Sequence, residues 1–352
     1  MRKNFKTIGK QLSLIAFALV LSSLFLLITG YDPLIVVKAI ARGMTSGLGG
    51  TIRWTIPYAF AGLAICLTFR ANIFNMGVDG QLYIGAIAAT YLSMNLSNVP
   101  APIAILGTIF FASIAGGLFA VIPAIMKIRL KCDEVVTTLL LNYVAYYFTD
   151  YVVLGPMLGK GTLAAASSTD YIPENVWLMK LSFLPSSGVT AGLYIAIALT
   201  IGMAVLLYKT NLGYEIKICG ANSRMAEYGG INSGRVILTI MVLSGVIAGL
   251  AGAVEILGVH HRFPMRFSNQ VGFDGVVVSL LASNHPIGVL FTAFFFGALK
   301  NGAMTMQRIA DVPSALIDIV RGIIIFTISI DFAVLKFRKR WKLKKQNDKE
   351  EQ

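Results

Sequence analysis

The chain has 352 residues, of which 56% are hydrophobic and only 13% charged, with a mean hydropathy of +0.73 and a formal net charge of +13. A soluble domain carries nearer a quarter charged residues, so this composition excludes a soluble globular protein. The basic residues gather at the chain ends and in short loops rather than along a stripe, which excludes nucleic-acid binding and reads as membrane topology.

Arg2, Lys3, Lys6 and Lys10 precede an apolar run from Leu12 to Thr29. At about 18 residues that run is longer than a signal-peptide core and long enough to span the hydrocarbon, so it reads as an uncleaved first helix. Further apolar runs near 51–69, 80–97, 102–125, 135–154, 190–208, 236–258, 287–304 and 315–334 predict spanning helices, with a weaker one at 271–283. Pro57, Pro123, Gly245, Gly249 and Gly252 punctuate them, which a bundle in lipid tolerates when neighbours re-satisfy the backbone. The expected fold is all-α: a polytopic membrane helix bundle of about ten transmembrane helices. No internal repeat is plain.

Orientation follows from lysine and arginine asymmetry. With the N-terminus inside and all ten segments crossing, about two-thirds of the basic residues fall on the inner side, including Arg70, the Lys127/Arg129/Lys131 loop and a basic tail from Lys336 to Lys349. Both termini are therefore expected in the cytoplasm. Were 271–283 re-entrant, the parity would put that tail outside. The expected organisation is a basic N-tail at 1–11, a permease domain at 12–335 and a basic, solvated C-tail at 336–352. Within the domain, 155–189 forms an external loop and 209–235 a cytoplasmic one.

Cys66, Cys132 and Cys219 lie far apart without a CxxC, so neither a disulfide framework nor structural zinc is expected. His260-His261 with Glu255 lacks a third ligand at useful spacing, so no metal is expected there either. No GxxxxGK[ST] occurs, and the look-alike Gly155 to Gly161 has the wrong spacing. Active transport would therefore need a motor on another chain.

The 209–235 loop contains Asn222-Ser-Arg-Met-Ala-Glu-Tyr228, a short helix with an asparagine cap and a Gly229-Gly230 stop. A short polar helix between two spans can plug into a partner's groove, or be an ordinary solvated loop. Gly220-x-Asn222-x-x-x-Ala226-x-x-x-Gly230-Ile231, preceded by Thr210-x-x-Gly213, resembles the coupling-loop signature of ABC permeases that import branched-chain amino acids, simple sugars and nucleosides. Met225 stands where that family commonly has a second alanine. Phe74 to Gln81, Asp133 to Tyr143 and Gly272 to Pro286 match the same family in the same order, so the resemblance covers about 50–330. Gly252 to His260, Gly272-Phe-Asp-Gly275, Met306-Gln307 and Val312-Pro313 favour its nucleoside branch.

The resemblance implies a transport subunit of the inner membrane without enzymatic chemistry or a cofactor of its own. ATP and Mg would be used by a partner ATPase docking at Gly220, Asn222, Arg224, Glu227 and Gly230. It also implies a second homologous permease (or a second copy) and an external substrate-binding lipoprotein. Polar groups inside spans are costly in lipid and normally face the bundle interior, so Asn75, Asp79, Gln81, Asn142, Glu255 and Gln307 are candidate substrate-pathway residues. Interhelical hydrogen bonding is the competing role for each. Asp274 and His285, near span ends, read rather as satisfied interface residues. An ion-coupled secondary transporter with Asp79 or Glu255 as proton carrier is the alternative class, opposed by the missing inverted repeat. Simple sugars are the alternative substrate.

Overall fold

A computed structural model describes residues 47–181 and 188–310, with isolated positions at 20–25, 27–30, 32, 34, 38, 319, 322–323 and 326. Of the expected span at 12–30, residues 20–25 and 27–30 are described; the span at 315–334 is described only at 319, 322–323 and 326, and both charged tails lie outside the described residues. Most of those described are helical, with no strand among them beyond two isolated bridges, Ser168 with Pro264 and Lys180 with Thr190.

Within 47–310 the helices longer than one turn are, in chain order, α1 (Leu48–Arg70), α2 (Val78–Met94), α3 (Ala101–Leu130), α4 (Glu134–Leu154), α5 (Gly192–Lys209), α6 (Asn211–Ala221), α7 (Ser223–Tyr228), α8 (Ser233–Glu255), α9 (Val271–Leu281) and α10 (Pro286–Ala310). Among the described residues five segments are long and apolar enough to cross a membrane: Leu48–Arg70, Ala101–Leu130, Gly192–Lys209, Ser233–His260 and Pro286–Thr305. Local chemistry sets the boundaries. Asp133 caps α4 by accepting from the Val135 and Val136 amides, Thr210 caps α6 through Gly213, and Asn232 caps α8 through Arg235. A π-helical turn, Ile256–His260, extends α8.

Residues 52–297 form one compact unit, and the flanking residues form a second. In the second, the Asn301 amide donates to the Gly47 carbonyl at 2.9 Å, tying α10 to the start of α1.

Within the larger unit the two ends of the bundle can be told apart. Arg53 near the start of α1 pairs with Glu255 at the end of α8 at 2.8 Å, so these two helices run antiparallel. At the opposite end, Arg70 Nε donates to the Asn284 carbonyl at 2.7 Å, beyond the end of α9. Residues 261–284 therefore traverse the bundle from the Glu255 end to the Arg70 end. The 11 residues of α9 cover only about 16 Å, roughly half a bilayer core, and the first half of the crossing is non-helical. The weak segment at 271–283 is the helical half of a broken crossing.

The structure also reveals a repeat that inspection of the sequence overlooks. Ala61-Gly-Leu-Ala64 in α1 recurs as Ala248-Gly-Leu-Ala251 in α8, and Gly77-Val-Asp-Gly80 at the start of α2 recurs as Gly272-Phe-Asp-Gly275 at the start of α9. Different linker lengths, 71–77 against 256–270, hide the match from a fixed-period search. The two copies exchange partners. Gly62 leaves room for Val278 of α9 and Val289 of α10, where an added Cβ would come within 2.8 Å of each. Gly249 does the same for Gly85 of α2 and for Ala112 and Gly116 of α3. Each long helix thus packs on the pair that follows the other, through small residues that let backbones approach.

The segment 155–181, expected to be external, is anchored to the bundle. The Thr169, Ile172 and Leu178 amides donate to the carbonyls of Phe263, His261 and Leu257, laying it across the Glu255 end of the bundle.

Candidate functional site

Asp79 lies halfway along the bundle, where the short helix α9 begins. Its carboxylate accepts from the Gly272 amide at 2.8 Å, the Ser268 hydroxyl at 3.1 Å and the Tyr146 hydroxyl at 2.5 Å. No side chain of α9's own entry caps it, so Asp79 supplies from across the bundle the acceptor that a helix N-terminus requires. Its quasi-equivalent, Asp274, accepts from Tyr58 at 3.1 Å and is buried at a helix interface, as the sequence suggested.

Asn75, Gln81 and Asn142 gather around the non-helical turn before α2. The Asn75 amide donates to Gln81 Oε1 at 3.1 Å and to the Ser244 hydroxyl at 2.9 Å, and its carbonyl accepts from the Gly77 amide at 3.0 Å. Asn142 accepts from the Gly80 amide at 2.8 Å and donates to the Met76 carbonyl at 2.8 Å. Asn75 and Asn142 satisfy backbone groups that the break exposes, and Gln81 braces the Asn75 side chain. Asn142 in addition borders a cleft.

That cleft, of about 330 Å³, opens between α2, α4 and the segment 266–273, with Asp79 and Asn142 at its floor. Tyr83, Tyr143, Tyr146, Arg266, Asn269, Gln270 and Phe273 complete its walls. The volume falls within the range of small-molecule sites. The Tyr83 and Tyr146 rings meet edge-to-face at 4.9 Å, and the Arg266 guanidinium lies over Tyr146 at 4.9 Å. Arg266 also pairs with Asp150 at 2.8 Å while remaining half exposed. Three wall residues, Arg266, Asn269 and Gln270, have left-handed backbones with φ of 55°, 48° and 64°. For non-glycine residues that conformation costs free energy, and such strain clusters at functional sites.

Sequence reasoning named the floor of this cleft and missed its walls. The signal for the tyrosines is their register: Tyr143, Tyr147 and Tyr151 recur every four residues on one exposed face of α4, with Tyr146 turned inward. Arg266 and Gln270 sit in the non-helical half of the broken crossing, which no apolar run marks.

Glu255, expected on the pathway, lies elsewhere in the same unit. Glu255 is held at the bundle end by Arg53, with His260 Nε2 at 3.8 Å, and does not line the cleft. Gln307 is exposed on α10 in the second unit.

At the Arg70 end, Asn222 accepts from the Arg224 and Met225 amides at 3.1 and 3.2 Å and starts α7, and Gly230 follows with a φ of 81°. A preceding helix, α6, was not anticipated. On α7 only Ala226 turns inward; Arg224 and Glu227 are exposed, as are Met225 and Tyr228, the last 92% exposed. Gly220 differs from its neighbours in role, because a Cβ there would strike the Arg70 carbonyl of α1. His285, expected at an interface, accepts from the Gly288 amide at 3.4 Å and lies 5.5 Å from the Tyr208 ring.

The family described as branched-chain amino acid transport system / permease component matches residues 47–329. The chain is 33% identical over 328 residues to the guanosine ABC transporter permease protein NupP of Bacillus subtilis, covering 91% of this chain and 92% of that one. It is 30% identical over 331 residues to the nucleoside ABC transporter permease protein NupB of Lactococcus lactis, covering 91% and 90%. It is also 34% identical over 296 residues to the glucose ABC transporter permease protein TsgB13 of Haloferax volcanii, covering 81% and 77%.

Proposed function

The chain belongs to the branched-chain amino acid transport system / permease component family, and from that membership we propose that it forms the membrane path of an ATP-driven nucleoside importer. The observation that carries the substrate class is the near full-length similarity to two permeases named for guanosine and nucleosides. The cleft above Asp79 supports it. Tyrosine rings offer faces on which a planar base stacks, and Asn142, Asn269 and Gln270 offer donors and acceptors for ring nitrogens, carbonyls and ribose hydroxyls. A site halfway along the bundle, at the N-terminus of a half-helix, is where transporters bind solutes.

The exposed face of α7 is the contact for a cytoplasmic ATPase, which binds ATP and Mg and drives the cycle. The Arg70 end accordingly faces the cytoplasm, with both termini inside and the Glu255 end receiving substrate from an external lipoprotein. A second permease, homologous or identical, completes the core in the inner membrane. Sugar uptake is the second reading, favoured by the similarity to the glucose permease.

The test is competition for uptake in cells lacking their own nucleoside transporters and expressing this chain with its copurifying partners. Uptake of labelled guanosine that unlabelled nucleosides suppress and glucose does not is the expected result. Uptake suppressed only by sugars overturns the substrate class. Uptake that persists without the ATPase and collapses with a protonophore overturns the ATP-driven reading.

A further inference from the structure

A second cavity lies at the Arg70 end, between the end of α1, the end of α5 and the first turns of α6. Its volume is about 220 Å³, room for about seven waters or for a phosphate group with part of its hydration. The polar lining comes from Arg70, Tyr208, Thr210, Tyr214 and Lys217, two cations, two phenols and a hydroxyl, with no carboxylate. Among the described residues neither Arg70 nor Lys217 enters an ion pair. Arg70 is oriented from behind: its Nε donates to the Asn284 carbonyl at 2.7 Å and its Nη2 to the Tyr208 hydroxyl. Two cations held at one cavity without a counter-charge repel each other and favour an anion between them.

Its place selects the kind of anion. Arg70 ends α1 and Lys209, beside the cavity, ends α5, both helices long and apolar enough to cross the bilayer. Tyr208 and Tyr214 are 48% and 63% exposed there, as tyrosines at headgroup depth are. Basic pockets between spans on the inner side suit anionic headgroups, whose tetrahedral oxygens accept from guanidinium, ammonium and phenol together. The geometry points to a phosphate-binding site at this corner, filled by the headgroup of an anionic phospholipid. One wall is α6, which leads directly into α7, so the lipid stiffens the base from which the exposed α7 face projects. Binding itself does not depend on the transport reading, and the test reads binding alone.

The experiment is native mass spectrometry of the full chain, purified with its partners and stripped of lipid, then titrated with short-chain phosphatidylglycerol or phosphatidylcholine. Phosphatidylglycerol is expected to bind more tightly, and more weakly as ionic strength rises. Lys217→Gln, at an exposed position that leaves the helix packing intact, should weaken that binding roughly fivefold, and Lys217→Arg should restore it. Displacement by millimolar inorganic phosphate would keep the phosphate chemistry and assign the site to a free anion. Equal affinity for the two lipids, unchanged in Lys217→Gln and indifferent to salt and phosphate, overturns the site.

Discussion

Replacing Asp79 separates its two duties, capping α9 and carrying charge at the cleft floor. In Asp79→Ala three donors lose their acceptor at once: the Gly272 amide, the Ser268 hydroxyl and the Tyr146 hydroxyl. Asp79 is 1% exposed, so little water reaches them. Each buried unpaired donor costs about 1–3 kcal/mol, and three together roughly 3–9 kcal/mol, a large part of the stability of an ordinary fold. Asp79→Asn keeps an acceptor for Gly272 and Ser268 and presents its amide to Tyr146 Oη, which can accept. Its loss is confined to the charge assistance, about 1–2 kcal/mol. Thermal unfolding of the detergent-purified chain should therefore show Asp79→Ala lowered by on the order of 5 °C or more, with Asp79→Asn close to wild type. Uptake at matched expression then reports the charge: Asp79→Asn that folds normally but transports at a small fraction of wild type assigns the carboxylate to the pathway. Equal midpoints for Asp79→Ala and wild type would refute the capping argument.

Arg53→Gln and Glu255→Gln should each destabilise the fold by about 3 kcal/mol, because each leaves a buried partner charge uncompensated, while the exchange Arg53→Glu with Glu255→Arg should recover part of the loss in a double-mutant cycle. Asn222→Ala removes the cap of α7 and costs about 1 kcal/mol locally; copurification of the ATPase should fall while membrane insertion and the midpoint of the rest stay unchanged. His261, just beyond the span, stacks on Trp177 at 3.9 Å, and burial together with the Lys180 charge lowers its pKa below the ordinary value of about 6.5. The unfolded chain therefore binds the proton more readily, and stability should fall as pH drops from about 6.5 through the lowered folded value. His261→Phe, which keeps the stack, should flatten that part of the profile.

The sequence is legible where one residue's chemistry decides a local event. Asn222 as a cap and Gly229-Gly230 as a stop bound α7, and apolar runs locate α1 to α5, α8 and α10 within a few residues. It is illegible where partners are distant in the chain. Asn75, Asp79, Gln81 and Asn142 share one cost argument, yet only the fold shows that Asn75 and Asn142 mend a broken backbone, that Gln81 braces Asn75, and that Asp79 reaches across to Gly272, 193 residues away. Glu255 met the same burial argument and proved to be paired with Arg53, 202 residues distant. The walls of the cleft come from a non-helical stretch whose polar residues carry no periodicity. Left-handed backbone at Arg266, Asn269 and Gln270 is a property of the fold that no propensity scale assigns to arginine or glutamine.

The repeat bears on how the chain can move. An inverted repeat was expected only of an ion-coupled carrier, and its presence here removes that objection to the alternative class. The manner of packing supplies a better one. Carriers of that class alternate by rocking one repeat or bundle against the other about a central site. Here the repeats are interlocked: α1 of the first lies against α9 and α10 of the second, and α8 of the second lies against α2 and α3 of the first. Gly85, Gly116 and Gly249 bring backbones into direct contact at that seam, with an added Cβ on Gly116 falling within 2.8 Å of Gly249 Cα. Rocking the halves apart would have to open both glycine-lined surfaces together and expose the buried polar cluster of Asn75, Gln81 and Ser244. Within 52–297 the interlocked packing opposes movement of one repeat against the other. The open side of the cleft, where Tyr143 and Tyr147 are 58% and 67% exposed, lies outside that glycine-lined seam. Such packing opposes a carrier that rocks its own repeats apart within one chain.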